Sequence, residues 1–205
     1  MKIVLIDYDG GNVESVFNAL KLIAPNSQIK ISNKAKDLDE ASHLILPGVG
    51  AFADCVNNLH KIDDLIPEIK RQILINKKPF LGICVGMQVL SDIGFENGEH
   101  EGLHLIAGEV KKIEGFSLKV PQMGWNEVVI SKNHQLFDKI ANNSHFYFAN
   151  SYYFICKDEQ DVLASYEYGG VKTCVIARDN ICAVQFHPEK SGKDGLQLLE
   201  NFLQL

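Results

Sequence analysis

The chain has 205 residues, of which 46% are hydrophobic and 22% charged, and its formal net charge is −6 at pH 7. This composition excludes a disordered chain, a collagen-like repeat and a coiled coil, and the length is typical of one domain. The acidic balance argues against binding to nucleic acid or to an anionic membrane, because such surfaces need clustered Lys and Arg. We therefore expect one globular domain over residues 1–205, with no nucleic-acid or membrane partner.

The apolar runs and the cysteines indicate the compartment. The longest apolar runs are strand-sized, well short of the ~18 residues that a membrane span needs. Lys2 is followed by four apolar residues and then by Asp7, which is not the pattern of a secretory signal. Five cysteines without a CxxC pair indicate reduced thiols and argue against a disulfide framework or a zinc ribbon. A cytoplasmic protein without a metal or another cofactor is predicted.

The first half of the chain alternates strand-like and helix-like segments. Strands are predicted at 3–6, around 29–31, at 43–46 and at 79–83, and helices at 13–20, 51–59, 65–75 and 85–90. Such alternation favours a mostly parallel sheet with helices on both faces. The chain is therefore expected to adopt a three-layer α/β fold with a mostly parallel central sheet.

The second half has a different pattern. Short strand-like runs occur at 127–130, 145–148, 152–155, 171–177 and 181–185, and a last amphipathic helix is predicted at 195–205. We expect these strands to be largely antiparallel additions to the fold.

The most informative segment is Gly-Ile-Cys-Val-Gly at residues 82–86, where a predicted strand runs into a predicted helix. This is the context of a nucleophile elbow of the G-x-nucleophile-x-G type, with Cys84 in the nucleophile position. The glycines allow the neighbouring backbone to approach closely, and the N-terminus of the helix favours a thiolate. The alternative is that Cys84 is a small apolar residue of the core.

A base for such a thiol is available in His-Pro-Glu at residues 187–189, near the end of a predicted strand. Residues two apart in extended backbone point to the same side, so His187 and Glu189 can face one site. The carboxylate would then orient the imidazole that accepts the Cys84 proton. A surface turn at the end of a strand is the alternative.

An oxyanion site is the third requirement of acyl transfer through a thioester. The backbone N–H of Val85 follows the nucleophile, and the loop Gly48, Val49, Gly50 lies at the carboxyl end of an earlier predicted strand. Open α/β sheets bind their ligands at the carboxyl ends of the strands. This loop is accordingly a candidate for the second N–H, although it is also readable as a simple tight turn.

Together these segments resemble the class I glutamine amidotransferases, whose glutaminase domains use a Cys-His-Glu triad. The resemblance covers nearly the whole chain and implies the three-layer fold of that class. It implies that Cys84 is the nucleophile, His187 the base and Glu189 the residue that orients the base. Contacts to L-glutamine or its oxyanion are implied for the following residues: Gly48, Val49, Gly50, Val85, Gln88, Ser151 and Tyr152.

Within that class the chain resembles the glutaminase subunits of imidazole glycerol phosphate synthases. The more specific segments are Met-Gly-Trp-Asn at 123–126 and Glu-Lys-Ser at 189–191. The resemblance implies a heterodimer with a (βα)8-barrel cyclase, which uses the ammonia to make imidazole glycerol phosphate in histidine biosynthesis. Asn12, in a turn after the first strand, and Trp125, expected in a loop, are candidates for the surface that faces this partner.

Two departures from that family pattern bear on the identity of the partner. Gln122 precedes Met123 and Asn150 precedes Ser151, at positions where His is usual. One alternative is therefore a paralogous amidotransferase subunit that supplies ammonia to another synthase, such as a sugar-amidating enzyme. Two further alternatives are a Cys-His peptidase or deglycase, disfavoured by Gln88 and by His-Pro-Glu, and a non-catalytic binding subunit, disfavoured by the intact triad.

Overall fold

The computed structural model describes residues 1–115 and 118–205. The helices are α1 Val13–Ile23, α2 Ala35–Glu40, α3 Phe52–His60, α4 Leu65–Lys70, α5 Val85–Gln88 and α6 Gly192–Phe202. Strands of the first half are β1 Lys2–Ile6, β2 Gln28–Ser32, β3 His43–Gly48, β4 Phe80–Cys84, β5 Ile93–Gly94, β6 His100–Glu101 and β7 Gly108–Lys112. Those of the second half are β8 Gln122–Glu127, β9 Val129–Ile130, β10 His145–Asn150, β11 Tyr152–Cys156, β12 Val162–Glu167, β13 Val171–Arg178 and β14 Ile181–Val184.

Within the described residues the central sheet has eight strands in the order β2-β1-β3-β4-β14-β13-β12-β9. The five strands from β2 to β14 pair in parallel, and the pairs beyond β14 are antiparallel. Every residue of β3 and β4 is buried, as expected for strands that helices cover on both faces. The predicted α/β fold with a mostly parallel central sheet and antiparallel additions is confirmed.

One strand of the second half lies where the sequence pattern did not place it. β14 pairs in parallel with β4, with Val184 beside Ile83, and antiparallel with β13. This insertion brings the chain that leaves β14 next to the chain that leaves β4. The position of β14 is therefore what places the His-Pro-Glu segment beside Cys84.

Two smaller sheets lie at the edge of the fold. β10 pairs with β8, and the order of the other sheet is β11-β7-β5-β6. The prediction of a loop around Trp125 is wrong, because this residue lies in β8 opposite Tyr147 of β10. Pairing with β10 outweighs the weak strand propensity of the glycine and asparagine that flank Trp125. The strand predicted at 127–130 is likewise divided, since β8 ends at Glu127 and β9 begins at Val129.

The helices of the structure differ from the predicted ones in several places. α6 begins at Gly192 and ends at Phe202, whereas the apolar pattern predicted 195–205. The helix predicted at 65–75 is divided into α4 and a π-helical turn, Arg71–Ile75. α2 was not predicted, since its six residues bury only Leu38 and therefore show no apolar period.

Apolar side chains form one contiguous buried cluster that extends from Ile3 in β1 to Leu203 beyond α6. Cys55, Cys174 and Cys182 belong to this cluster, whereas Cys156 is only half-buried beside it. In residues 1–115 and 118–205, no helix combines the length and the apolar character that a bilayer crossing requires.

Candidate active site

The backbone at Cys84 forms a strained elbow between β4 and α5. Cys84 has φ 55° and ψ −112°, a conformation that non-glycine residues rarely adopt. The flanking glycines are required sterically, because a Cβ on Gly86 would lie 1.9 Å from the backbone oxygen of Leu46. A Cβ on Gly82 would lie 2.6 Å from the backbone oxygen of Gly86. The predicted elbow is thus present, with the thiol at the first turn of α5.

The structure brings the three residues of the predicted triad together. His187 lies beside Cys84, and its Nδ1 lies 2.9 Å from Oε1 of Glu189. The side chains of His187 and Glu189 are 3% and 0% exposed. Burial lowers the pKa of His187, but its interactions with Cys84 and Glu189 outweigh this effect and raise this pKa to about 9. The imidazole is therefore placed to take the proton of the Cys84 thiol.

Backbone contacts hold His187 in place. Its N–H donates to the backbone oxygen of Tyr147 over 2.9 Å, and Ser191 Oγ donates to its carbonyl oxygen over 2.6 Å. Ser191 Oγ also accepts a hydrogen bond of 2.9 Å from the N–H of Tyr147. The backbone of His187 is thus anchored to β10 and to Ser191.

Asn12, a candidate for the partner-facing surface, is half-buried and lies against the triad. Its Nδ2 donates to Oε1 of Glu189 over 3.1 Å, so two donors converge on one carboxylate oxygen. Oε2 of Glu189 is buried and has no hydrogen-bond partner among the described residues. The position of Asn12 in the sequence could have indicated this contact, because the turn before α1 follows β1 at the ligand-binding edge of the sheet.

Cys84 and His187 open into a cavity of about 280 Å³. Its lining consists of Val49, Gly50, Cys84, Val85, Gln88, Glu96, Pro121, Ala149, Asn150, Ser151, Tyr152, His187 and Lys190. Six of the seven residues predicted to contact substrate or oxyanion are therefore at the cavity wall. The seventh, Gly48, lies opposite Cys84 in the register of β3 with β4. Asn12 and Trp125 are not part of this wall.

The loop after β3 approaches the elbow closely. A Cβ on Gly48 would lie 2.6 Å from the backbone nitrogen of Gly86, so only glycine fits there without a shift. Gly50 has a φ of 96°, a conformation that favours glycine. The loop between them and the N–H of Val85 at the start of α5 border the same cavity. Their backbone amides are therefore candidates for an oxyanion site.

A buried pair of amides lies behind the thiol. Gln88 Nε2 donates to the backbone oxygen of Tyr152 and to Oε1 of Gln185, each over 3.0 Å. Gln185 Nε2 in turn lies 3.7 Å from Sγ of Cys84. Gln185 was not predicted, although its spacing of two residues from His187 in extended backbone was a signal for a shared face.

The cavity wall contains two charged side chains that sequence reasoning missed. Glu96 and Lys190 lie at the wall, and Oε2 of Glu96 accepts a hydrogen bond of 2.7 Å from the N–H of Phe52, at the start of α3. Glu96 gave no signal in the sequence, since it follows a strand of only two residues. The cavity wall thus includes the Glu96 carboxylate, the Lys190 ammonium group and the Gln88 amide.

The two departures from the family pattern are neighbours in space. Gln122 of β8 and Asn150 of β10 are directly opposite each other, and their exposed fractions are 4% and 5%. Asn150 Nδ2 donates to the backbone oxygen of Tyr152 over 3.0 Å and to the hydroxyl of Tyr166 over 3.1 Å. Both departures therefore belong to one buried site at the edge of the cavity.

Comparisons with known proteins agree with this geometry. Residues 4–205 match the model of the family "Glutamine amidotransferase class-I". The chain is 47% identical over 204 residues to imidazole glycerol phosphate synthase subunit HisH 1 of Campylobacter jejuni, covering 99% of this chain and 100% of that protein. It is 40% identical over 208 residues to the subunit HisH of Pelagibacter ubique, covering 100% of both. The solved structure of PurLQS from Thermotoga maritima shares the fold, with a TM-score of 0.76, 15% identity and coverage of 99% and 97%.

Proposed function

The chain belongs to the class I glutamine amidotransferase family, and we propose from this premise that it is the glutaminase subunit of imidazole glycerol phosphate synthase in histidine biosynthesis. It hydrolyses glutamine to glutamate and ammonia. The observation that carries this function is the grouping of Cys84, at a strained elbow, with the hydrogen-bonded pair His187 and Glu189, open to a cavity of about 280 Å³. The full-length similarity to HisH subunits supports the pathway.

The triad supports the following sequence of steps. The Cys84 thiolate attacks the carboxamide carbon, and the amide oxygen becomes an oxyanion that accepts hydrogen bonds from backbone N–H groups. The N–H of Val85 and those of the loop Gly48, Val49, Gly50 are assigned this role. The C–N bond then breaks, and the leaving nitrogen takes the proton of His187. Water attacks the thioester with His187 as base, which releases glutamate and restores the thiolate.

The polar groups of the cavity fit a free amino acid. Glu96 offers a carboxylate to an α-ammonium group, and Lys190 offers an ammonium to an α-carboxylate. Both N–H groups of Gln88 are engaged within the protein, so its Oε1 is the atom available to accept a hydrogen bond from glutamine. We assign Ser151 and Tyr152 to the opposite wall of the same substrate site.

For the partner, we propose a (βα)8-barrel cyclase that forms a heterodimer with this chain and receives the ammonia. The exposed face of β8 supports such a contact, because Met123 and Trp125 are 68% and 56% exposed and point to the same side. Trp125 packs edge-on against Tyr147, which holds its ring in place at the surface. On this proposal Asn12 contacts the triad, and the exposed face of β8 contacts the partner.

Two further proposals concern the chain as a whole. Residues 1–205 form a single glutaminase domain, a proposal that the contiguous core from Ile3 to Leu203 supports. The protein works in the cytoplasm, where a reducing environment suits its five free cysteines.

The test is glutamate release by the chain with and without a histidine-pathway barrel cyclase that holds its acceptor substrate. Glutamine hydrolysis should be slow for the isolated chain and should increase in the complex. Cys84→Ala should abolish glutamine-dependent synthesis and leave ammonia-dependent synthesis intact, since the thiol serves only amide cleavage. Cys156→Ala is the matched control, because this half-buried cysteine does not line the cavity.

Equal loss of the glutamine-dependent and ammonia-dependent reactions in Cys84→Ala would contradict the assigned nucleophile. An absence of binding and of stimulation at micromolar cyclase would contradict the partner. That second outcome would favour the paralogous subunit with a different acceptor enzyme.

A further inference from the structure

A buried glutamine contacts the nucleophile from within the protein. Gln185 follows β14 directly, and its side chain has no solvent exposure (0%). Its backbone N–H donates to the carbonyl oxygen of Cys174 over 2.8 Å, which continues the pairing with β13 beyond β14. Its Nε2 is 3.7 Å from Sγ of Cys84, within hydrogen-bond distance of a sulfur acceptor. The amide is therefore held in a fixed place beside the thiol.

The neighbouring amide determines which end of the Gln185 side chain faces sulfur. Oε1 of Gln185 accepts a hydrogen bond of 3.0 Å from Nε2 of Gln88, and the same Nε2 donates to the carbonyl oxygen of Tyr152. If the Gln185 amide were rotated by half a turn, its NH2 group would face the NH2 group of Gln88. Its oxygen would then face the lone pairs of sulfur. Gln88 therefore selects the orientation in which Gln185 donates to Cys84.

We infer that Gln185 is a positioning residue that donates a hydrogen bond to the thiolate of Cys84 and stabilises the reactive, charged form of the nucleophile. This inference rests on the proposed function only for the identity of the nucleophile. The donor is neutral and does not titrate, so it acts at every pH at which the protein is folded. Hydrogen bonds to a charged group are stronger than those to a neutral group, so the contact favours the thiolate over the thiol.

The geometry divides the contacts of sulfur between two donors. His187 and Gln185 are two residues apart, and both face Cys84. His187 gives up its proton during the reaction, whereas Gln185 keeps its own. When the thiolate is restored after hydrolysis of the thioester, Gln185 and the reprotonated His187 therefore both have a donor for sulfur.

The test is the pH profile of Cys84 alkylation by iodoacetamide, a reagent that reacts with the thiolate. The full chain is used, and mass spectrometry identifies the modified cysteine, with Cys84→Ala as the reference. Gln185→Met keeps the length of the side chain and removes the donor. We expect the pH of half-maximal alkylation to rise by about one unit, which corresponds to about 1.4 kcal/mol, the size of a hydrogen bond to an ion.

Gln185→Glu is a second variant, with almost the same shape and an added negative charge, and it should raise the midpoint further. The matched control is Gln72→Met, because Gln72 is equally buried (0%) but bonds Glu68 and Asp39, away from the cavity. The control should leave the midpoint unchanged, whatever its effect on thermal stability. A folded Gln185→Met or Gln185→Glu variant with the wild-type midpoint would overturn the inference.

Alkylation does not require glutamine, so failure of this inference is distinguishable from failure of the proposed function. A chain that shows the expected midpoint shift but releases no glutamate in any complex would contradict the function and leave the role of Gln185 intact. The converse result, normal glutamine turnover with no shift, would contradict the role of Gln185 alone.

Discussion

Glu189→Gln is the substitution for which the structure makes the sharpest quantitative prediction. Two donors, Nδ1 of His187 and Nδ2 of Asn12, converge on Oε1 of Glu189 over 2.9 and 3.1 Å. An amide at this position should therefore place its oxygen at the Oε1 site. His187 then keeps the tautomer in which Nδ1 carries the proton and the other nitrogen faces Cys84.

The loss should come mainly from the missing charge. A hydrogen bond to a carboxylate contributes about 1.5–3 kcal/mol and one to a neutral amide about 1 kcal/mol, so the difference is about 0.5–2 kcal/mol. A difference of about 1.4 kcal/mol in the barrier is tenfold in rate. We expect glutamate release by the complex to fall about tenfold, far less than in Cys84→Ala. The pKa of His187 should also fall from about 9, because one of the groups that raise it is lost.

The assay is glutamate release by the complex with saturating acceptor, with ammonia-dependent synthesis as the control for an intact partner. The double variant Asn12→Ala/Glu189→Gln tests the orientation argument, since without Asn12 the amide is free to turn its NH2 group toward His187. Its loss should exceed the product of the two single losses. A Glu189→Gln enzyme as inactive as Cys84→Ala, or a strictly multiplicative double variant, would refute the reasoning.

Three further predictions follow from the elbow and its surroundings. Gly86→Ala should lower the free energy of unfolding by about 3 kcal/mol or prevent folding, because its Cβ would lie 1.9 Å from a backbone oxygen of β3. Urea denaturation measures this change. In Cys84→Ala the imidazole NMR titration of His187 should move down from about 9, because burial lowers its pKa and the lost interaction with Cys84 raised it; an unchanged midpoint would contradict the pair. Gln122→His and Asn150→His, introduced together because the residues are cross-strand partners, should leave glutamate release within a few-fold and keep cyclase binding, which a titration of the complex checks.

The sequence alone predicted the layered α/β fold because apolar periodicity is local. Strands whose residues are all buried, such as β3 and β4, appear as short continuous apolar runs between helical patterns. Trp125 shows the limit of such local reasoning, since its neighbours favour a loop and only pairing with β10 makes it part of a strand. α2 is a real helix that the same reasoning missed, because a short helix on the surface has no apolar period to detect.

The residues of the proposed triad could also be predicted from the sequence, because the elbow and the His-Pro-Glu segment are each encoded within a few consecutive residues. The distant side chains that complete the site could not be predicted in this way. Asn12 reaches Glu189 across 177 positions, and Gln185 reaches Cys84 across 101. Such contacts depend on strand order, above all on the parallel insertion of β14 beside β4, and no local pattern encodes strand order. The orientation of the Gln185 amide also depends on tertiary contacts. Its NH2 group faces sulfur because its oxygen accepts a hydrogen bond from Gln88.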